Sequence, residues 1–201
     1  MDRLTVGSGF DRWAGLLSSP IEGRVVLGPN WFASVMGTGV IAVASATLPV
    51  DWPILTVIGT IAWVLASVLL IALLIIVPAH WIRNPSVARG IANDPIAIQF
   101  FGAPPMALLT VGSATLLLGT RYLGDAALTI DWILWVVGTI LGFATAVLVP
   151  YRLFTQLQVR QDGAFGGWLM PVVPPMVSAA AGALLVPHAP EGAFRESMLL
   201  L

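Results

Sequence analysis

The decisive stretches are Phe100–Leu109, "FFGAPPMALL", and Met170–Ala179, "MPVVPPMVSA". Each sets Pro-Pro-Met inside a long run without a charge, and Met106 and Met176 stand seventy residues apart. An interior proline removes one N–H and clashes with the preceding turn, costing roughly 3 kcal/mol. Lipid supplies no substitute partner, so a broken backbone at membrane depth belongs where protein or water in a cavity satisfies it. Pro104 and Pro105, with Pro171, Pro174 and Pro175, are therefore expected to bend helices on a cavity side.

Working outward, Met36 of "SVMGTGVIAVASATL" precedes Met106 by the same seventy residues. Small residues follow each Met: Gly37, Gly39, Ala42 and Ala44; Ala107, Gly112, Ser113 and Ala114; Ala179, Ala180, Ala181 and Gly182. The repeat unit is a small-residue helix followed by a bulkier one. "VLASVLLIALLIIV" and "WILWVVGTILGF" carry Leu, Ile and Val around most of their circumference, as helices facing lipid do. Small residues let backbones approach closely or leave a lumen. Odd helices inside and even helices outside is the economical arrangement.

Composition agrees: hydrophobic residues are 58% of the 201, charged residues 9%, and mean hydropathy is +0.93. These values predict an all-α polytopic membrane protein, with the bilayer as its principal surroundings. Five uncharged runs approach the roughly 20 residues that cross a hydrocarbon core. They are Trp31–Leu48, Ile54–Val77, Pro95–Gly119, Asp131–Tyr151 and Gly166–Pro187. Residues 1–29 form a cytoplasmic lead-in and 30–201 the transmembrane domain, with a sixth span beginning at "ESMLLL". Asn30, Asp94 and Asp131 are expected N-caps, and Pro95 a first helical residue. Asp2, Asp11 and Glu22 interrupt any signal-peptide core, so the first run is expected to stay as a helix. Phe10, Trp13, Leu16 and Leu17 fit either a short interfacial helix or a loosely ordered lead-in.

All nine basic residues are arginine. Seven (Arg3, Arg12, Arg24, Arg83, Arg89, Arg152, Arg160) fall on one side of the five spans and two (Arg121, Arg195) on the other. That asymmetry predicts a cytoplasmic N-terminus in the cell membrane. Trp31, Trp52, Trp81, Trp132 and Trp168 lie near span ends, where the headgroup layer suits an indole. The distribution offers no nucleic-acid surface, and the lack of cysteine excludes disulfides and thiol chemistry.

The span interiors hold no Lys, Arg, Glu or His, and Asp94 and Asp131 are read as helix starts. On that reading no proton relay, intramembrane protease centre, metal site or cofactor site is present, and the chain is not an enzyme. His80 and His188 are isolated at span ends. The polar groups of the odd helices are hydroxyls: Ser34, Thr38, Ser45, Thr110, Ser113, Thr115 and Ser178. They suit weak multi-site contact with a passing solute, or back-bonding to their own helices. The expected pore lining is Met36, Gly37, Thr38, Gly39, Pro104, Pro105, Met106, Thr110, Pro171, Pro174, Pro175, Met176 and Ser178.

The stretches Gly28–Pro49 ("GPNWFASVMGTGVIAVASATLP"), Phe100–Gly119 ("FFGAPPMALLTVGSATLLLG") and Ala164–His188 ("AFGGWLMPVVPPMVSAAAGALLVPH") resemble the tellurite-resistance and C4-dicarboxylate transporter family, which includes the plant slow-type anion channels. The resemblance implies five helical hairpins in quasi-fivefold order, odd helices lining a pore, and assembly as a homotrimer. It implies transport of a small anion or dicarboxylate, with malate-like acids, tellurite, sulfite, nitrate and chloride all in range. Five hairpins at this period need roughly 350 residues, so the chain reads as two hairpins and half a third, a truncated product or fragment. The family's occluding phenylalanine on a ninth helix has no counterpart, and Phe32, Phe100 and Phe101 do not inherit its role. The alternative is a non-transporting membrane scaffold or split-subunit assembly partner.

Overall fold

A computed structural model describes residues 27–50, 52–157, 166–189, 192 and 195–196. The amphipathic lead-in at Phe10–Leu17 lies outside the described residues. Every regular element described is helical: α1 (Phe32–Thr47), α2 (Pro53–Arg83), α3 (Pro85–Asn93), α4 (Ala103–Ala114), α5 (Thr120–Leu123), α6 (Asp125–Thr155) and α7 (Pro174–Leu185). Turns of 3-10 helix precede α1 (Pro29–Trp31) and α4 (Ala97–Gly102), another occupies Gly166–Leu169, and one follows α7 (Val186–His188). A π-helical turn at Thr115–Gly119 joins α4 to α5, making Ala97–Leu123 one continuous segment.

Three segments are long and apolar enough to cross a membrane: Pro53–Arg83, Ala97–Leu123 and Asp125–Thr155. With α1 and α7, which are shorter, they occupy the five runs read from sequence. Gly124 joins the second and third of them at φ +56 and ψ −134, a conformation that side chains resist. One residue thus reverses the chain.

The core follows the small-residue pattern. α1 and α7 each pack on α4, α2 lies against α1 and α4, and α6 lies against α4 and α7. Of the twelve residues of α4, all but Pro104 are buried. Phe32 and Val35, Ala66, Leu70, Leu73 and Val77, and Ala103, Ala107, Leu108 and Val111 form its main apolar cluster. On the long helices the opposite stripes stay uncovered: Val57, Ile61, Val64, Val68, Ile71 and Ile75 on α2, and Ile133, Val136, Ile140, Phe143 and Val147 on α6. Their three- and four-residue spacing marks single helix faces. Hydrocarbon is as apolar as these side chains, so the faces suit lipid.

Two expected caps are corrected. α1 begins at Phe32 with no side-chain cap, and Asn30 sits inside the preceding 3-10 turn. Asp131 caps nothing either, because α6 begins six residues earlier at Asp125. Gly124 stops the preceding helix, and Ala126, Ala127 and Leu128 are strong helix formers that carry α6 past the expected start. Asp94 does cap the third span, its Oδ1 accepting the N–H groups of Ile96 and Ala97, each at 2.8 Å.

The prolines also act differently from expectation. Pro104 lies in the first turn of α4, and Pro174 and Pro175 open α7. At the start of α7 no intrahelical acceptor awaits the missing N–H groups, whereas Pro104 and Pro105 stand where the 3-10 turn Ala97–Gly102 passes into α4. The break is instead a change of helix type just upstream, and the prolines inside helices are Pro78 of α2 and Pro150 of α6.

Candidate functional site

The two proline-started helices meet at their bases. A Cβ on Gly102 would stand 2.7 Å from the Met170 carbonyl carbon and 2.8 Å from the Pro171 Cα, so backbone lies directly on backbone there. Pro171 and Pro174 are fully buried. Pro174 packs on α6, its Cβ 2.9 Å from where a side chain on Gly142 would begin, and the Pro105 carbonyl approaches Gly138 of α6 in the same way at 3.2 Å. On the other flank Gly39 of α1 admits the Thr110 methyl group, which would lie 2.8 Å from a Cβ there. Glycine at each contact brings helices within backbone distance, so dispersion supplies association where lipid provides no hydrophobic drive.

The expected lining residues therefore divide. Gly39, Pro105, Met106, Thr110, Pro171, Pro174 and Ser178 are buried between helices; Met36, Thr38, Pro104 and Pro175 are half-buried; Gly37 and Met176 are exposed. Around Gly37 there is open space, since a Cβ there would meet nothing within 4 Å, and Met176 is 73% exposed.

The hydroxyls mostly turn back on their own helices. Ser34, Thr38, Ser45, Thr110 and Thr115 donate to the carbonyls of Trp31, Ser34, Ile41, Met106 and Val111, at 2.6–2.8 Å. Thr115 also accepts the Trp63 indole N–H at 2.9 Å, tying the π-helical turn to α2. Ser178 shares a 2.6 Å hydrogen bond with Thr139, and its carbonyl accepts the Trp135 indole N–H at 2.9 Å. The five back-bonding hydroxyls thus spend their hydrogens within the protein.

Two buried polar groups escaped the sequence reading. Asp131 is 1% exposed, and its carboxyl group lies over the α-carbon of Gly112, where a Cβ would stand 2.5 Å from Oδ1. Neither carboxyl oxygen has a hydrogen-bond partner among the described residues. An acid therefore does lie within a span, which removes the sequence-level ground for excluding proton coupling. The one-residue turn at Gly124 was the available signal, since it moves the helix start to Asp125. Gln99, 2% exposed, donates through Nε2 to the Pro95 carbonyl at 2.7 Å and leaves Oε1 unpartnered among the described residues.

A family model described as voltage-dependent anion channel matches residues 26–201. The chain is 28% identical over 157 residues to a sulfite efflux pump of Arthroderma otae, covering 78% of this chain and 42% of that protein. It is 30% identical over 160 residues to an uncharacterised transporter of Methanocaldococcus jannaschii, covering 79% of this chain and 45% of that one. The chain thus spans less than half the length of these relatives. No solved structure matches it.

Proposed function

Because the chain belongs to the voltage-dependent anion channel family, we propose that it forms part of a membrane domain that carries small anions along the uncovered faces of α1 and α7 and past Pro104 at the start of α4. The observation that supports this most is the packing of α4 between α1 and α7, the three helices that carry Met36, Met106 and Met176 near their starts, with the long apolar α2 and α6 laid against them. α1, α4 and α7 carry no ionisable side chain. A permeating anion would meet methyl groups, backbone and hydroxyls already bonded within the protein, none of which binds it tightly. Gly37 and Met176 are the exposed members of the proposed lining, and Met36, Thr38, Pro104 and Pro175 stand beside them half-covered.

The relatives that are sulfite efflux pumps make sulfite the first anion to test, followed by chloride, nitrate and C4-dicarboxylates. Homotrimeric assembly, placement in the cell membrane and a cytoplasmic N-terminus belong to the same proposal. The experiment is anion flux in proteoliposomes carrying the protein at the full length of its relatives. Flux of at least one of these anions, altered by Gly37→Leu and Met176→Ala, is expected. Correct insertion without any anion flux would overturn the proposal and favour a scaffold or assembly role.

A further inference from the structure

The end of the third span carries a cation that the anion path does not use. Arg121 lies on the short helix α5, and three adjoining cavities share it as a wall. One, of about 350 Å³, is lined by Thr56, Thr60, Leu117, Leu118, Thr120, Arg121 and Tyr122. The next, of about 420 Å³, adds Pro53, Val57 and Ile61 of α2. The third, of about 170 Å³, reaches Ser45 and Trp52.

The local chain builds this place. Five residues of π-helix put an extra residue into the turn before α5 and so rotate α5 about the axis of the span. Gly119 lets the Trp63 ring lie against the span, since a Cβ there would be 2.8 Å from Cζ2. Trp63 in turn stacks on Tyr122 with centroids 6.0 Å apart and planes 16° from parallel. The stack and the Trp63–Thr115 hydrogen bond hold α5 against α2, so that Arg121 faces the groove beside Thr56 and Thr60.

Chemistry narrows the occupant. Arg121 forms no ion pair among the described residues, and Asp125, the nearest acid along α6, is not within ion-pair reach of it. The hydroxyls of Thr56, Thr120 and Tyr122 make no hydrogen bond among the described residues. A guanidinium with neighbouring hydroxyl donors matches a phosphate oxygen set. The groove does not end in water alone: Ile54, Val57 and Ile61, 58%, 54% and 63% exposed, continue it down the lipid-facing side of α2. A soluble oxyanion has no use for that wall, whereas an acyl chain does. The position suits a headgroup as well, because Arg121 and Tyr122 lie at a span end, where basic and aromatic residues meet the interface.

We propose that this groove binds an anionic phospholipid, its phosphodiester on Arg121 and the hydroxyls of Thr56, Thr120 and Tyr122, and one acyl chain along Ile54, Val57 and Ile61. A cation with no ion-pair partner among the described residues discriminates against a zwitterionic headgroup, which brings its own positive charge.

The test is native mass spectrometry of the purified full chain in neutral detergent, titrated with phosphatidylglycerol or phosphatidylcholine. Phosphatidylglycerol is expected to bind preferentially and to lose about fivefold in affinity in Arg121→Gln, the effect of one basic residue at a lipid surface. Arg83→Gln, at the far end of α2, is expected to bind as wild type, and Arg121→Lys to keep part of the affinity. Excess inorganic phosphate is expected to leave the lipid bound. Equal binding of phosphatidylglycerol by wild type and Arg121→Gln, equal binding of the two lipids, or displacement of lipid by inorganic phosphate would each overturn the proposal, the last by assigning the cavity to a soluble oxyanion.

Discussion

Replacing Gly102 by alanine tests the backbone contact on which the two proline-started helices converge. Gly102 has φ −70 and ψ −20, torsions that alanine adopts freely, so backbone strain plays no part. What alanine adds is a Cβ that would stand 2.7 Å from the Met170 carbonyl carbon and 2.8 Å from the Pro171 Cα, where ordinary contact begins at 3.4 Å. The Met170 carbonyl oxygen would lie closer still, so one stretch of chain must retreat by more than about 0.7 Å, and the obstructing atoms are backbone, which no rotamer change can move aside. Pro171 and Pro174 are fully buried beside it and restrict that retreat. Overpacking of this kind costs about 1–3 kcal/mol. Gly37→Ala is the matched control, because its Cβ would meet nothing within 4 Å and helix propensity favours alanine by up to about 1 kcal/mol. Reversible SDS unfolding of the detergent-solubilised chain, followed by far-UV circular dichroism, measures both. Gly102→Ala is expected to unfold at lower SDS than wild type, and Gly37→Ala at the same or higher SDS. Coincident transitions for the two variants would refute the packing argument.

The Asp131–Gly112 contact predicts a coupled pair: Gly112→Ala destabilises, and Asp131→Ala, by emptying the space its Cβ needs, reduces that penalty by about 1–3 kcal/mol in a double-mutant cycle by SDS unfolding. Gly124→Ala, at φ +56, is expected to cost more than about 1 kcal/mol in the same assay, because the turn offers alanine no allowed alternative. Trp63→Phe, which loses the 2.9 Å hydrogen bond to Thr115, is expected to cost about 0.5–1.5 kcal/mol and to increase proteolysis near α5. The chain contains no cysteine, so single Ser86→Cys and Asp125→Cys variants report orientation directly. An impermeant maleimide applied to intact cells is expected to label Asp125→Cys alone, with Ser86→Cys reacting only after permeabilisation.

Much of the architecture was legible along the chain. Apolar run length is a local property, and it located all five helical stretches; the seventy-residue recurrence of Met36, Met106 and Met176 identified the helices that pack side by side. The errors came where one residue type serves two roles. Asp131 precedes an apolar run, as an N-cap does, but Gly124 and the helix-forming "DAAL" moved the true start to Asp125 and carried Asp131 into the interior. Pro-Pro inside an uncharged stretch reads as a kink, yet Gly102 and Ala103 ahead of it allow a change of helix type, so Pro104 falls in a first turn. Ser178 and Thr110 were legible as hydroxyls on small-residue helices, but not the Thr139 oxygen and Gly39 backbone that they meet.

Composition and periodicity by themselves determined that this is a helical membrane protein built from small-residue helices alternating with bulky ones, because each of those features is a sum over neighbours in sequence. Only the tertiary structure decided that every residue of α4 but Pro104 is buried, that Gly102 rests on Met170 and Pro171, and that Asp131 is buried over Gly112. In lipid, apolar surface carries no preference for protein over solvent, so helices associate where backbones fit most closely. With glycine and alanine on nearly every candidate face, that fit is a property of the assembled helices.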